Sequence, residues 1–147
     1  MRIREAREAD LDRLLELYSL LEGPYAGSVS LTRDGARNLF TRILLDPNQQ
    51  TLVAEDYGEV VGTLVIVVIP NLGHGGAPYA VVENVVVDPD SRGEGVGKAL
   101  VEEALERARR AGAYKLALCS NLQREEAHAF YRSLGMEQTH AGFEVSP

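Results

Sequence analysis

The residues Arg92-Gly93-Glu94-Gly95-Val96-Gly97-Lys98 follow a valine-rich strand, Val81 to Val87, and lead directly into an amphipathic run. Glycines at alternate positions remove Cβ atoms, so the chain can turn tightly and aim successive N–H groups at one point. That point is the positive N-terminus of the helix that follows. The pattern predicts a seat for a phosphate or diphosphate. Spacing excludes two other glycine loops. A dinucleotide fingerprint requires its third glycine where Lys98 stands, and a P-loop requires glycine at 92 and Ser or Thr at 99, where this chain has Arg and Ala. A second chemical feature lies upstream in the same strand. Glu83 is a carboxylate in an otherwise apolar segment, where desolvation is expected to raise its pKa towards a value useful to a base. The alternative reading of Glu83 is an ion pair with an arginine on the sheet face.

The loop matches Arg/Gln-x-x-Gly-x-Gly/Ala, and the chain thereby resembles the GNAT acyltransferases. The resemblance extends upstream through Val81-Val82-Glu83-Asn84-Val85-Val86-Val87-Asp88-Pro89, which is similar to that family's fourth strand. Downstream, Asn121 and Ala129-Phe130-Tyr131-Arg132-Ser133-Leu134-Gly135-Met136 are similar to its closing strand–helix element, with Met136 where Phe is more usual. It implies an α/β GNAT fold: a mixed, mostly antiparallel sheet with strands 4 and 5 splayed apart, flanked by helices. It also implies an N-acetyltransferase with acetyl-CoA as cosubstrate, the acceptor amine attacking the thioester directly.

The resemblance further implies roles for particular residues. Val85, Val86 and Val87 would hold the pantetheine amides through their backbone, as an added strand does. Gly93, Glu94, Gly95, Val96, Gly97 and Lys98, with Arg92 opening the loop, would surround the diphosphate, and Asn121 would offer its amide to the pantetheine arm. Transfer to an amine poses two proton problems, because a primary amine with pKa near 10.4 is mostly protonated at neutral pH and the leaving thiolate gains from a proton. Glu83 is the base, acting through water, as similarity to the diamine and aminoalkylphosphonate branches suggests. Tyr131, in its Phe-Tyr-x-x-Leu-Gly context, is the acid; the competing reading is a core aromatic with its hydroxyl bonded to backbone. The segment Met136 to His140 with Phe143 is similar to the end of the aminoalkylphosphonate branch, which brings His140 towards substrate.

The elements that must position these groups are also readable. Residues 2–6 alternate as a first strand. Leu11, Leu14, Leu15, Tyr18 and Leu21 recur at helical spacing, predicting a helix over 9–22 that ends at Gly23-Pro24. Thr32 is an N-cap for a second helix with Leu39, Phe40, Ile43 and Leu44 inward, closed by Asp46-Pro47-Asn48. Segments 50–55 and 59–69 flank Tyr57-Gly58, a hairpin signal, and the run 62–69 is apolar on both faces, as a central strand is. The loop 70–78 joins it to the strand 79–87 or lines a substrate mouth. Val96, Leu100, Val101, Ala104, Leu105 and Ala108 mark a long helix stopping near Gly112. A strand follows over 115–120, then a helix over 124–134 with Ala127, Phe130, Tyr131 and Leu134 on one stripe. One or two strands are expected over 136–145.

Bulk properties narrow the partners. A chain of 147 residues without repeats or composition breaks suits a single domain, 1–147. Its net charge of −7 argues against sequence-independent nucleic-acid binding and favours cationic ligands such as amines, or solubility alone. No apolar run suggests a membrane span or signal peptide. The single cysteine, Cys119, is expected in a buried strand position and fits a reducing, cytoplasmic setting. His74, His128 and His140 lack metal-site spacing. A small-molecule amine is the expected substrate. A protein or peptide acceptor and a non-catalytic acyl-CoA-binding regulator are the alternatives, and the family resemblance also allows a homodimer.

Overall fold

β-branched residues dominate the segments 59–69 and 79–87 at the middle of the sheet, and positive-φ residues mark the turn before the first of them. The computed structural model describes residues 1–21 and 31–145. The chain divides into two compact units, Met1–Ala117 and Leu118–Pro147. The first contains β1 (Arg2–Glu5), α1 (Leu11–Ser19), α2 (Arg33–Leu44), β2 (Gln49–Asp56), β3 (Glu59–Ile69), β4 (Tyr79–Val87) and α3 (Val96–Arg110), and it ends within β5 (Leu116–Leu118). The second contains α4 (Glu125–Ser133).

The sheet order is β1-β2-β3-β4-β5, and β1 to β4 pair antiparallel. A helical crossover, α3, links the neighbouring strands β4 and β5, the connection that parallel neighbours require, so the sheet is mixed and mostly antiparallel. The β2–β3 hairpin turns on Tyr57 (φ 47°) and Gly58 (φ 87°). Two central residues with positive φ are what a type I′ turn demands. β3 is the central strand, as its two-faced apolar pattern predicts.

Helices cover both faces. Strand alternation sends Leu52 and Val53 to opposite sides, and both are fully buried. Leu14, Leu17 and Phe40 from α1 and α2 cluster with Val53, Val60 and Val86. On the other face α3 presents Val96, Leu100, Val101, Ala104 and Ala108. Gly62 lets the first turn of α3 approach β3: a Cβ there would lie 2.9 Å from Val96 Cγ1 and 3.2 Å from the Val86 carbonyl oxygen.

Several expectations are corrected. On α1 Leu14 and Leu17 are buried, with Leu11 and Tyr18 half-buried against the same cluster, and Leu15, about 100° round the helix from Leu14, is exposed. Leu39 and Leu105 fall off their stripes for the same reason, and Ala36 and Ala108 help complete them. α1 ends at Ser19, and the expected stop at Gly23-Pro24 lies outside the described residues. Thr32 does cap α2, its Oγ1 accepting from the Gly35 N–H at 3.1 Å. β5 is shorter than expected and leaves Cys119 exposed beyond its end. Residues 137–145 form neither strand nor helix and are all exposed. A strand needs a ladder and a face to bury, and this segment buries none.

The start of the chain is fixed by ions. Arg4 Nη1 and Nη2 donate to the two carboxylate oxygens of Asp10 at 2.7 and 2.9 Å, and Arg4 Nε donates to Glu55 Oε2 at 2.7 Å. The Arg7 N–H adds a bond to Asp10 Oδ2 at 2.7 Å. The Arg4 guanidinium, outweighing burial, holds the Asp10 carboxyl below its ordinary 3.8. A depressed folded-state pKa stabilises above the unfolded value, and this contribution disappears as pH falls through the folded value. Asp10→Asn is therefore expected to destabilise by about 1.5–3 kcal/mol at neutral pH and to flatten the loss of stability below pH about 4. Denaturant melts across that range check this. An unchanged acid limb contradicts it.

Candidate active site

β4 carries a bulge at the level of Glu83. The register places Thr63 opposite Val86 and Val65 opposite Glu83, so Asn84 and Val85 share Leu64. Asn84 takes φ 53°, a left-handed conformation that asparagine tolerates better than most side chains. A bulge bends its strand and leaves ladder groups unpaired. Glu83 and Asn84 are both exposed, Val85 and Val87 are half-buried, and Val86 is buried. Glu83 makes no hydrogen bond or ion pair among the described residues, so neither the expected desolvation nor the arginine pair is present. Towards β5, the Tyr114 N–H donates to the Pro78 carbonyl and the Ala80 N–H to the Lys115 carbonyl, both at 2.9 Å. These bonds lie at the opposite end of β4 from Val85–Val87.

The glycine loop begins at Asp88. Its Oδ1 accepts from the Asp90 N–H at 2.9 Å and its carbonyl from the Ser91 N–H at 3.0 Å, closing a turn of 3₁₀ helix over Pro89–Ser91. The Asp90 N–H and the Arg13 guanidinium hold the Asp88 carboxyl below its ordinary range. Arg92 is extended, and its Nε donates to the Val87 carbonyl at 3.4 Å. Gly93 (φ 80°) and Gly95 (φ 83°) follow, and a Cβ on either would meet none of the described residues beyond its chain neighbours within 4 Å. Positive φ rather than crowding within the chain is what calls for glycine here. Among the described residues nothing fills the space beside them.

Gly95 is the N-cap of the 15-residue α3, whose first turn holds no acidic residue. The N–H groups of Val96, Gly97 and Lys98 have no intrahelical acceptor. Open space among the described residues, unpaired donors and the helix dipole fit a diphosphate. Val96 is buried and anchors the turn. Lys98 is exposed and 3.8 Å from Glu102, a solvated pair. Glu94 is also exposed. Glu83, Val85–Val87 and Arg92–Lys98 thus lie along one continuous strand, loop and helix start.

The remaining candidates belong to the second unit. Asn121 Oδ1 accepts from the Gln123 N–H at 2.9 Å, and its carbonyl accepts from the Arg124 N–H at 3.0 Å. The same carbonyl lies 3.0 Å from His128 Nε2. Asn121 therefore shapes the entry to α4, and its side-chain nitrogen is left to donate. Tyr131 is half-buried on α4, its ring 5.2 Å from that of Phe130 and tilted by 57°. The Tyr131 carbonyl accepts from the N–H groups of Leu134 and Met136, ending the helix before Gly135. The other histidines are engaged locally: His74 stacks on Tyr114 at 3.9 Å, and His140 Nδ1 lies 2.7 Å from Thr139 Oγ1.

Sequence reasoning missed two residues. Asn84 sits in a valine run that reads as regular strand, and Arg13 reaches Asp88 across 75 positions. No local pattern signals either.

The pattern of the Acetyltransferase (GNAT) family matches residues 13–136. The chain is 32% identical over 136 residues to glucosamine 6-phosphate N-acetyltransferase from Trypanosoma brucei brucei, covering 92% of this chain and 88% of that protein. It is 38% identical over 111 residues to aminoalkylphosphonate N-acetyltransferase from Salmonella typhimurium strain LT2, covering 76% of this chain and 69% of that protein. A solved structure from Agrobacterium tumefaciens strain C58 superposes with a TM-score of 0.91 at 35% identity, covering 100% of both chains. With the glycine loop and sheet order already pointing the same way, the chain belongs to the GNAT family of N-acetyltransferases.

Proposed function

We propose that this N-acetyltransferase transfers an acetyl group from acetyl-CoA to the primary amine of a small molecule, by direct attack. The observation that carries the reading is the open left-handed pair Gly93 and Gly95 at the start of α3, beside the bulged β4. The two named relatives act, by their names, on an amino sugar phosphate and on aminoalkylphosphonates. They support a small amine over a protein or peptide acceptor. The whole chain, 1–147, works as one domain in this reading, and its lone free cysteine suits the cytoplasm.

Acetyl-CoA supplies an activated thioester, and the protein supplies binding and proton transfer. Backbone groups of Val85, Val86 and Val87 align the pantetheine arm, helped by the Asn121 amide. Arg92 and the N–H groups from Gly93 to Lys98, Glu94 included, surround the diphosphate. Glu83 takes the amine proton through water. Its exposure supports that route, because a solvated carboxylate relays protons through water rather than by contact in a dry pocket. Tyr131 returns a proton to the departing sulfur, its half-buried ring holding the phenol in place.

A panel of amines that includes glucosamine 6-phosphate, aminoalkylphosphonates and simple diamines, scored by release of free CoA, tests the proposal. Turnover with one class establishes it. CoA binding without turnover on any amine favours a non-catalytic regulator.

Two substitutions test the proton roles. Tyr131→Phe keeps the ring and removes the donor, so kcat should fall on the order of 10²–10⁴-fold with acetyl-CoA affinity near wild type. An equally active variant leaves Tyr131 a packing residue. Glu83→Gln should lower the neutral-pH rate and remove the acidic limb of kcat/KM. Raising the pH should restore part of the rate, since more of the amine is then already neutral. A wild-type pH profile in this variant would return Glu83 to a surface carboxylate.

A further inference from the structure

Arg13 and Asp88 meet at the entrance to the glycine loop. From α1, Arg13 Nε donates to the Val60 carbonyl at 2.9 Å, Nη1 donates to Glu16 Oε2 at 2.8 Å, and Nη2 donates to Asp88 Oδ2. The Asp88 N–H donates to the next carbonyl of β3, that of Val61, at 2.9 Å. Its other carboxylate oxygen accepts from the Asp90 N–H at 2.9 Å, and its carbonyl accepts from the Ser91 N–H at 3.0 Å. Two successive carbonyls of a central strand are thus gripped by the two members of one ion pair, and that pair also closes the turn leading to Arg92.

The far end of the loop is fixed separately, by Val96 packed against β3 at Gly62. Between these anchors lie Arg92, Gly93, Glu94 and Gly95. Their one side-chain tie among the described residues is the 3.4 Å bond from Arg92 to the Val87 carbonyl. Gly93 and Gly95 have unusual conformational freedom. N–H groups in such a loop converge on one point only if both ends are held.

We propose that Arg13 and Asp88 are positioning residues that hold the glycine loop in its diphosphate-binding geometry. This rests on the reading of that loop as the acetyl-CoA seat. Neither side chain touches the ligand; each acts through the backbone from Asp88 to Gly95. Arg13 is one-third exposed, so the effect of losing it is graded rather than total.

Calorimetry with CoA and steady-state kinetics on Arg13→Gln, Asp88→Asn and the double variant test this, with thermal melts to confirm folding. Each single variant should bind CoA about 3- to 10-fold more weakly and raise the KM for acetyl-CoA in step. The amine KM should stay unchanged. The double variant should lose less affinity than the sum of the two singles, because both changes break the same ion pair. Arg13→Lys, which keeps the charge facing Asp88, should recover part of the affinity. Unchanged CoA affinity in folded variants, additive losses in the double, or an amine KM rising in parallel would overturn the proposal. If Arg13→Gln does not fold, Asp88→Asn decides alone, since it keeps an oxygen for the Asp90 N–H. Failure of the wild-type protein to bind CoA would overturn the reading of the loop itself, and this proposal with it.

Discussion

The first turn of α3 has backbone N–H groups that no residue of the helix can satisfy, and the chain is built to leave them facing open space. Gly95 reaches φ 83° at the N-cap, where a side chain would be strained, and among the described residues beyond its chain neighbours nothing lies within 4 Å of where its Cβ would stand. The turn cannot drift, because Val96 is buried against a glycine of the central strand. An anion seat needs this combination. Donors must be held by packing on one side and left unpaired on the other, or they would find partners within the protein.

Rigid parts surround the exposed ones. β2, β3 and β4 carry helices on both faces, and Thr63, a buried polar residue in β3, donates to the Leu52 carbonyl at 2.7 Å instead of disturbing the ladder. The Arg4–Asp10–Glu55 cluster ties the first strand and the start of α1 to the sheet. α1 in turn presents Arg13 to Asp88. Fixing from the N-terminal half therefore extends to the entrance of the glycine loop.

Local chemistry in the chain proved readable and long-range register did not. The alternating glycines after Arg92, the Tyr57-Gly58 hairpin and the Thr32 cap each depend on a few adjacent residues, and each formed where expected. The β4 bulge depends on how Thr63 and Val65 pair across the sheet, and Val81 to Val87 gives no sign of it. Nor does that run show that Glu83, expected in a desolvated setting, is exposed. The same gap separates Leu15 from Leu17 on α1, since helical spacing admits either and packing against β3 and β4 selects. The strands expected over 136–145 do not form, and the side chains of 137–145 are all exposed.

Truncating the ligand tests diphosphate binding at the start of α3 most directly, because it leaves the protein intact. Calorimetry should compare CoA with pantetheine, which keeps the arm expected along β4 but lacks the diphosphate. Charge-assisted bonds to backbone N–H groups are each worth about 1.5–3 kcal/mol, so loss of even one or two predicts weaker binding by at least about tenfold. Pantetheine binding as tightly as CoA would contradict the assignment of Arg92 to Lys98 as the anion seat.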